Sequence, residues 1–169
     1  MCQERMIPKC GSLVVHHWAH KANDCDSWWE PETEWHRSWK RLVPDDQIEV
    51  ALAGHQADII RKDGTVVELQ HSPISIDDIR LREFHYGRMV WLFDGQGITA
   101  ERFAVRDRGT HLTFRWKHPR KTYGLCTKPV YIDFGIAIFR LMKLYLDAPP
   151  YGGCGQVLPP EFFVEWLKS

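Results

Sequence analysis

Several features are missing from this chain at once. No apolar run in its 169 residues approaches the ~18 that a membrane-spanning helix needs. Net charge is missing too: 22 Lys and Arg balance 22 Asp and Glu, so the molecule as a whole does not attract a polyanion. The five cysteines, at positions 2, 10, 25, 126 and 154, are an odd set at irregular spacings, which excludes a disulfide framework. Neither an internal repeat nor a low-complexity tract is present. The first residues show no basic start or apolar run of the secretory kind, so a cytoplasmic, non-membrane protein is expected. What is present is ordinary globular material enriched in tryptophan. Eight Trp and eight Phe exclude a disordered composition, and the length suits one domain.

Zero net charge hides a local imbalance. Residues 102–128 contain Arg102, Arg106, Arg108, Arg115, Lys117, Arg120, Lys121 and Lys128 against a single acid, Asp107. Such a stripe is either a solvated face or the footprint of a nucleic acid. Arg115, Lys117, Arg120 and Lys121 interleave with Trp116 and Tyr123, a pattern that suits single-stranded nucleic acid, with base stacking on the rings. Trp28-Trp29 is a second candidate for stacking.

Local pattern gives an α/β order. A strand or hairpin is expected around 12–19. Pro31 and the i, i+4, i+7 spacing of Trp35, Trp39 and Leu42 predict a helix over 31–43. Strands follow at 47–53, 56–61 and 65–71, with a turn at Lys62-Asp63-Gly64. Ser75 and Asp78 form a cap for a helix over 76–87, with Ile76, Ile79 and Phe84 as its apolar stripe. Met89 to Phe93 is a short strand. Beyond it, 110–116 and 130–134 read as strands, 136–146 as a helix and 161–167 as a short terminal helix. The organisation is a single domain, 1–169: a Cys/His-containing hairpin (1–29), a core (30–95) and a basic, helical extension (96–169).

The most informative spacing is Asp58, then Glu68-Leu69-Gln70. A two-residue turn at Asp63-Gly64 would send Asp58 and Glu68 to opposite faces. A three-residue loop over 62–64, with Gly64 left-handed, pairs Arg61 with Thr65 and Asp58 with Glu68. Directly opposed side chains have Cβ atoms about 5 Å apart, and two carboxylates there repel unless a cation intervenes. Gln70 joins the same face. Mg²⁺ or Mn²⁺, which take oxygen ligands and keep waters, would resolve the repulsion and activate a phosphodiester for attack by water. The alternative is a solvated Asp58 and a Glu68 paired with a nearby arginine.

The sequence also resembles a family. His17-Trp18-Ala19-His20-Lys21, Glu34-Trp35-His36 with Lys40, Ala57-Asp58, the run from Glu68 through Gln70-His71-Ser72-Pro73-Ile74 to Ser75, and Arg82 with Tyr86 are similar to the nuclease domain of the competence protein CoiA family. The likeness runs over 16–94. That family is grouped with the PD-(D/E)XK, restriction-endonuclease-like nucleases, whose core order is helix, three-stranded meander, helix, strand. The resemblance implies metal ligation by Asp58, Glu68 and the Leu69 backbone carbonyl. It also implies that His36 and Lys40 line the cleft, that Glu34 adds an acid, and that Gln70 stands where many members have lysine. Glutamine orients water or phosphate but is no base.

Further candidates surround this cluster. His20, Lys21, Ser72, Ser75, Arg82 and Tyr86 are read as nucleic-acid contacts. Ser75 serves equally as a helix cap, and Arg82 either clamps a phosphate or pairs with Asp78. By strand parity His71 points away from the acids and is structural. Cys10, His17, His20 and Cys25 suggest Zn²⁺, although their spacing lacks the usual C-x₂₋₄-C knuckle. The expected activity is metal-dependent cleavage of DNA, with single strands and RNA both left open. The alternatives are a nucleic-acid-binding module that does not cut, and an interaction protein that keeps only the fold.

Overall fold

The computed structural model describes residues 6–9, 17–20, 28 and 31–169, with backbone only for the first two segments. Near the N-terminus, β1 (Met6–Lys9) pairs antiparallel with β2 (His17–His20). The zinc reading lies outside the described residues, because Cys10, Cys25 and the side chains of His17 and His20 are not among them. Lys21 and Trp29 are outside them as well.

The expected order of helix, three strands, helix and strand is present. It comprises α1 (Glu34–Lys40), β3 (Ile48–Leu52), β4 (His55–Ile60), β5 (Val66–Gln70), α2 (Ile76–Tyr86) and β6 (Met89–Asp94). The first helix starts later than its apolar spacing predicts because Thr33 caps it. Thr33 Oγ1 accepts the His36 backbone N–H, and the Thr33 N–H donates to His36 Nδ1. That reciprocal cap satisfies two helix-end donors and fixes the start.

The remaining chain extends the same sheet. After β6 come β7 (Phe103–Asp107), β8 (Leu112–Trp116), β9 (Val130–Asp133), β10 (Ile138–Tyr145), β11 (Tyr151–Leu158) and α3 (Pro160–Lys168). All join one nine-stranded mixed sheet in the order β3-β4-β5-β6-β9-β10-β11-β8-β7. Pairing is parallel at β5–β6 and β6–β9 and antiparallel at the other junctions of this sheet.

The extension is therefore largely β, which corrects the helix expected over 136–146. The register of β10 on β11 shifts between Leu141 and Lys143, so Met142 is an extra residue in a bulge. Parity changes there, and Ile138, Phe139, Leu141 and Leu144 are the buried positions. An interrupted strand thus imitates helical spacing. Its partner β11 carries glycines for steric reasons. A Cβ on Gly153 would collide with the Lys143 carbonyl, and one on Gly155 with the Arg140 carbonyl and the Phe139 ring.

Each sheet face buries its own core. On one, Trp35, Trp39 and Val43 from the first helix segment and Phe163 and Leu167 from α3 pack on Ile59, Val67, Leu69, Val90, Leu92 and Ile138. On the other, Ile79 and Tyr86 of α2 join Val66, Trp91, Phe93, Phe114, Trp116 and Phe139. Complete burial of side chains this size contributes about 2–3 kcal/mol each. The indoles of Trp35 and Trp39 also donate to one oxygen of Asp133 at 2.8 and 3.0 Å, which fixes α1 over the end of β9. The stripe expected on α2 is only partly inward: Ile79 is fully buried, but Phe84 is 88% exposed. Its inner face instead carries Arg82 and Glu83.

Candidate functional site

The hairpin joining β4 and β5 has the three-residue loop. Arg61 N–H donates to Thr65 O at 3.0 Å and Gly64 N–H to Arg61 O at 2.8 Å, while Gly64 has φ +80°, a conformation glycine adopts at no steric cost. The register Ile59↔Val67 and Ile60↔Val66 then sets Asp58 opposite Glu68. On the other side of β4, the register Ile48↔Ile59 and Val50↔Ala57 sets Glu49 opposite Asp58. Three adjacent strands therefore bring three acids into one row. At this row β4 and β5 part, and the Leu69 N–H donates to Asp58 Oδ2 at 3.0 Å. Glu49 has φ 51°, a left-handed conformation costing a non-glycine residue about 1 kcal/mol or more.

Two cations, one from each of α1 and α2, meet these acids. Lys40 Nζ of α1 lies 3.2 Å from Asp58 Oδ1, 3.1 Å from Glu49 Oε1 and 3.3 Å from Glu32 Oε1. Burial opposes the Lys40 charge, but Asp58 and Glu49 outweigh it and hold its pKa above the usual lysine value. Arg82 of α2 donates from Nη1 to Glu68 Oε2 at 2.9 Å and from Nη2 to the Trp28 carbonyl at 2.9 Å. No hydrogen bond or ion pair joins Arg82 to Asp58 among the described residues, so the arginine does not bridge the two carboxylates. Burial raises the Asp58 pKa against the pull of Lys40 and the Leu69 N–H. Burial, reinforced by the Asp58 charge, pushes Glu68 up to about 8 even with Arg82 beside it.

Burial is the main cause of both shifts, and the neighbouring Asp58 charge adds to that of Glu68. The carboxylates of Glu32, Glu49, Asp58 and Glu68 outnumber Lys40 and Arg82. Arg37, 3.7 Å from Glu32, is already shared with Glu34. Glu68 Oε1 is buried with no hydrogen-bond partner among the described residues. An orphaned carboxylate oxygen beside a second carboxylate fits a hard divalent cation that supplies most of its shell as water. The described residues contain no group of three or more His, Cys, Asp and Glu arranged to hold a metal by themselves. Any ion here relies on two carboxylates, a carbonyl and solvent.

The other expected residues divide clearly. His36 Nδ1 accepts the Thr33 N–H, so its Nε2 carries the proton and donates to the Leu69 carbonyl at 3.2 Å. It steadies the strand rather than standing ready as a base. Glu34 is excluded from the cluster. It faces solvent, where Arg37 at 2.9 Å and Arg41 at 2.8 Å hold its carboxyl below the usual range. Glu32 and Glu49 are the acids that the sequence reading missed. Gln70, 3% exposed, donates to the Ser72 carbonyl at 3.1 Å. Ser75 caps α2 by accepting the Asp78 N–H, and Arg82 pairs with Glu68 rather than with Asp78.

The expected stacking platform is not on the surface. Trp116 and Tyr123 are 1% and 2% exposed, Tyr86 is buried, and Trp28 lies stacked on His55 at 3.4 Å between ring centroids. Arg115, Lys117 and Lys121 remain exposed, so the basic stripe stays on the outside without its rings. Arg120 instead donates to the His71 carbonyl at 2.9 Å. His71 Nδ1 lies 2.7 Å from Asp94 Oδ2. No helix among the described residues is long and apolar enough to cross a membrane. No family model matches the chain, and the searches of curated proteins and of solved structures return no match.

Proposed function

We propose that the chain is a divalent-metal-dependent nuclease that hydrolyses DNA phosphodiester bonds. The observation that carries this reading is the hairpin register, which sets Asp58 against Glu68 and leaves a buried Glu68 oxygen without a partner among the described residues. The resemblance to the CoiA nuclease domain, and through it to a restriction-endonuclease-like core, agrees with the order α1-β3-β4-β5-α2-β6.

Asp58, Glu68 and the Leu69 carbonyl would hold Mg²⁺ or Mn²⁺, and a bound ion of this kind lowers the pKa of water and polarises a phosphoryl oxygen. The chain's own groups set the stage for that chemistry. His36 fixes the Leu69 carbonyl. Arg82 holds one Glu68 oxygen and leaves the other open. Lys40 is a fixed positive charge beside Asp58, suited to a non-bridging phosphate oxygen. Gln70 orients water or phosphate by hydrogen bonding and takes no proton.

Cleavage of single-stranded and duplex DNA in Mn²⁺ tests the proposal. We expect cleavage that EDTA abolishes and that Asp58→Ala lowers by about 100-fold or more, the scale of a lost metal or oxyanion contact. Absence of metal-dependent cleavage of every DNA and RNA form by the folded chain would overturn it. A second reading, a binding module that does not cut, is favoured by one observation: Lys40 and Arg82 already sit on the two acids. That reading requires salt-dependent DNA binding unaffected by Asp58→Ala and no cleavage.

A further inference from the structure

A cavity of about 210 Å³ lies at the carboxyl ends of β5 and β6, walled by His71, Asp94, Arg102, Trp116, His118 and Arg120. In sheets with parallel strands and crossover connections, ligands dock at this end. His71 follows Gln70 of β5, three residues or about 10 Å along the chain from Glu68. The opposite wall is built from the ends of β7 and β8, where Lys117 N–H donates to Arg102 O at 2.9 Å.

The walls carry more donors than acceptors. The one carboxylate, Asp94, is committed: Oδ2 meets His71 Nδ1 at 2.7 Å and Oδ1 accepts the Gln96 N–H at 2.9 Å. Arg120 is held in place by the His71 carbonyl at 2.9 Å and the Tyr123 hydroxyl at 3.2 Å. Neither Arg102 nor His118 makes a side-chain hydrogen bond or ion pair among the described residues. Trp116 Nε1 is a buried donor with no acceptor among them. Two guanidiniums, an imidazole and an orphaned indole N–H around about seven water volumes call for a compact, multiply charged oxyanion. Guanidinium forks match phosphoryl oxygens. Two such forks suit a phosphomonoester dianion better than a singly charged diester.

We propose that this cavity binds the terminal phosphate of a nucleic-acid strand, placing the end of that strand next to Asp58 and Glu68. The inference deepens the nuclease reading and rests on it for the class of ligand; it implies action near strand ends. Its test needs no cleavage. Fluorescence anisotropy of the full chain in EDTA would compare internally labelled oligothymidylates with a 5′-phosphate, a 3′-phosphate or hydroxyls at both ends. We expect one phosphorylated form to bind at least tenfold more tightly and to be displaced by inorganic phosphate. Arg102→Gln, an exposed position whose fold is checked by circular dichroism, should erase the preference. The form preferred identifies the end recognised. Equal affinity for all three strands, or a preference that survives Arg102→Gln, would overturn the proposal. An Arg102→Gln loss shared equally by all three would assign the cavity to backbone phosphates and overturn it as well. A phosphate preference without cleavage would leave this site standing and remove only the nuclease reading.

Discussion

Two glutamates of similar appearance in the sequence have opposite weight in the fold. Glu83 is 4% exposed and accepts from the Trp91 indole, the Thr127 N–H and hydroxyl, and the Lys128 N–H, tying α2 to the segment before β9. Removing a carboxylate that satisfies several buried donors costs several kcal/mol, so Glu83→Ala should lower stability by about 3 kcal/mol or more in urea denaturation. Glu34→Ala, on the solvent face, should change neither stability nor cleavage measurably. Glu68 adds a pH dependence. With its folded pKa raised to about 8, the native metal-free state holds a proton that the unfolded chain gives up near 4.5. Stability is then greatest below that value and is lost progressively as pH rises through 8. Asp58, also raised, acts in the same direction. Urea midpoints measured in EDTA should fall from pH 5 to 8, and Glu68→Gln should flatten the slope. A flat wild-type profile would mean that Arg82 keeps Glu68 ionised throughout.

Local chemistry was legible where one element met one rule. Gly64 at the third loop position announced the hairpin and its register, and Ser75 announced the start of α2. The reading failed where tertiary packing set the pattern. The bulge at Met142 gave β10 the spacing of a helix, and the glycines of β11, which look like breakers, are where strand carbonyls and the Phe139 ring come too close for a side chain. Gly155→Ala should therefore destabilise the β10–β11 pairing, by about 3 kcal/mol on the scale of overpacking. Thermal unfolding would show the loss, whereas Gly97→Ala, where a Cβ meets nothing, should leave the midpoint unchanged. The site followed the same division. Asp58 and Glu68 came from the hairpin alone, but Glu32 and Glu49 needed the placement of α1 and the left-handed turn of β3, which no spacing encodes.

Across the whole molecule, a formally neutral chain separates its charges. Carboxylates gather where β3, β4 and β5 meet, and arginines and histidines gather at the neighbouring strand ends. A phosphate-bearing ligand lying across both would meet donors on one side and acids in need of a cation on the other. The account turns on whether those acids take up an ion. Isothermal titration of Mn²⁺ into the folded, metal-free chain near pH 7.5 measures this directly. It should show one site, proton release as the raised carboxyl of Glu68 ionises, and loss of binding in both Asp58→Asn and Glu68→Gln. No heat of binding, or a site of equal affinity in Asp58→Asn, would contradict the account.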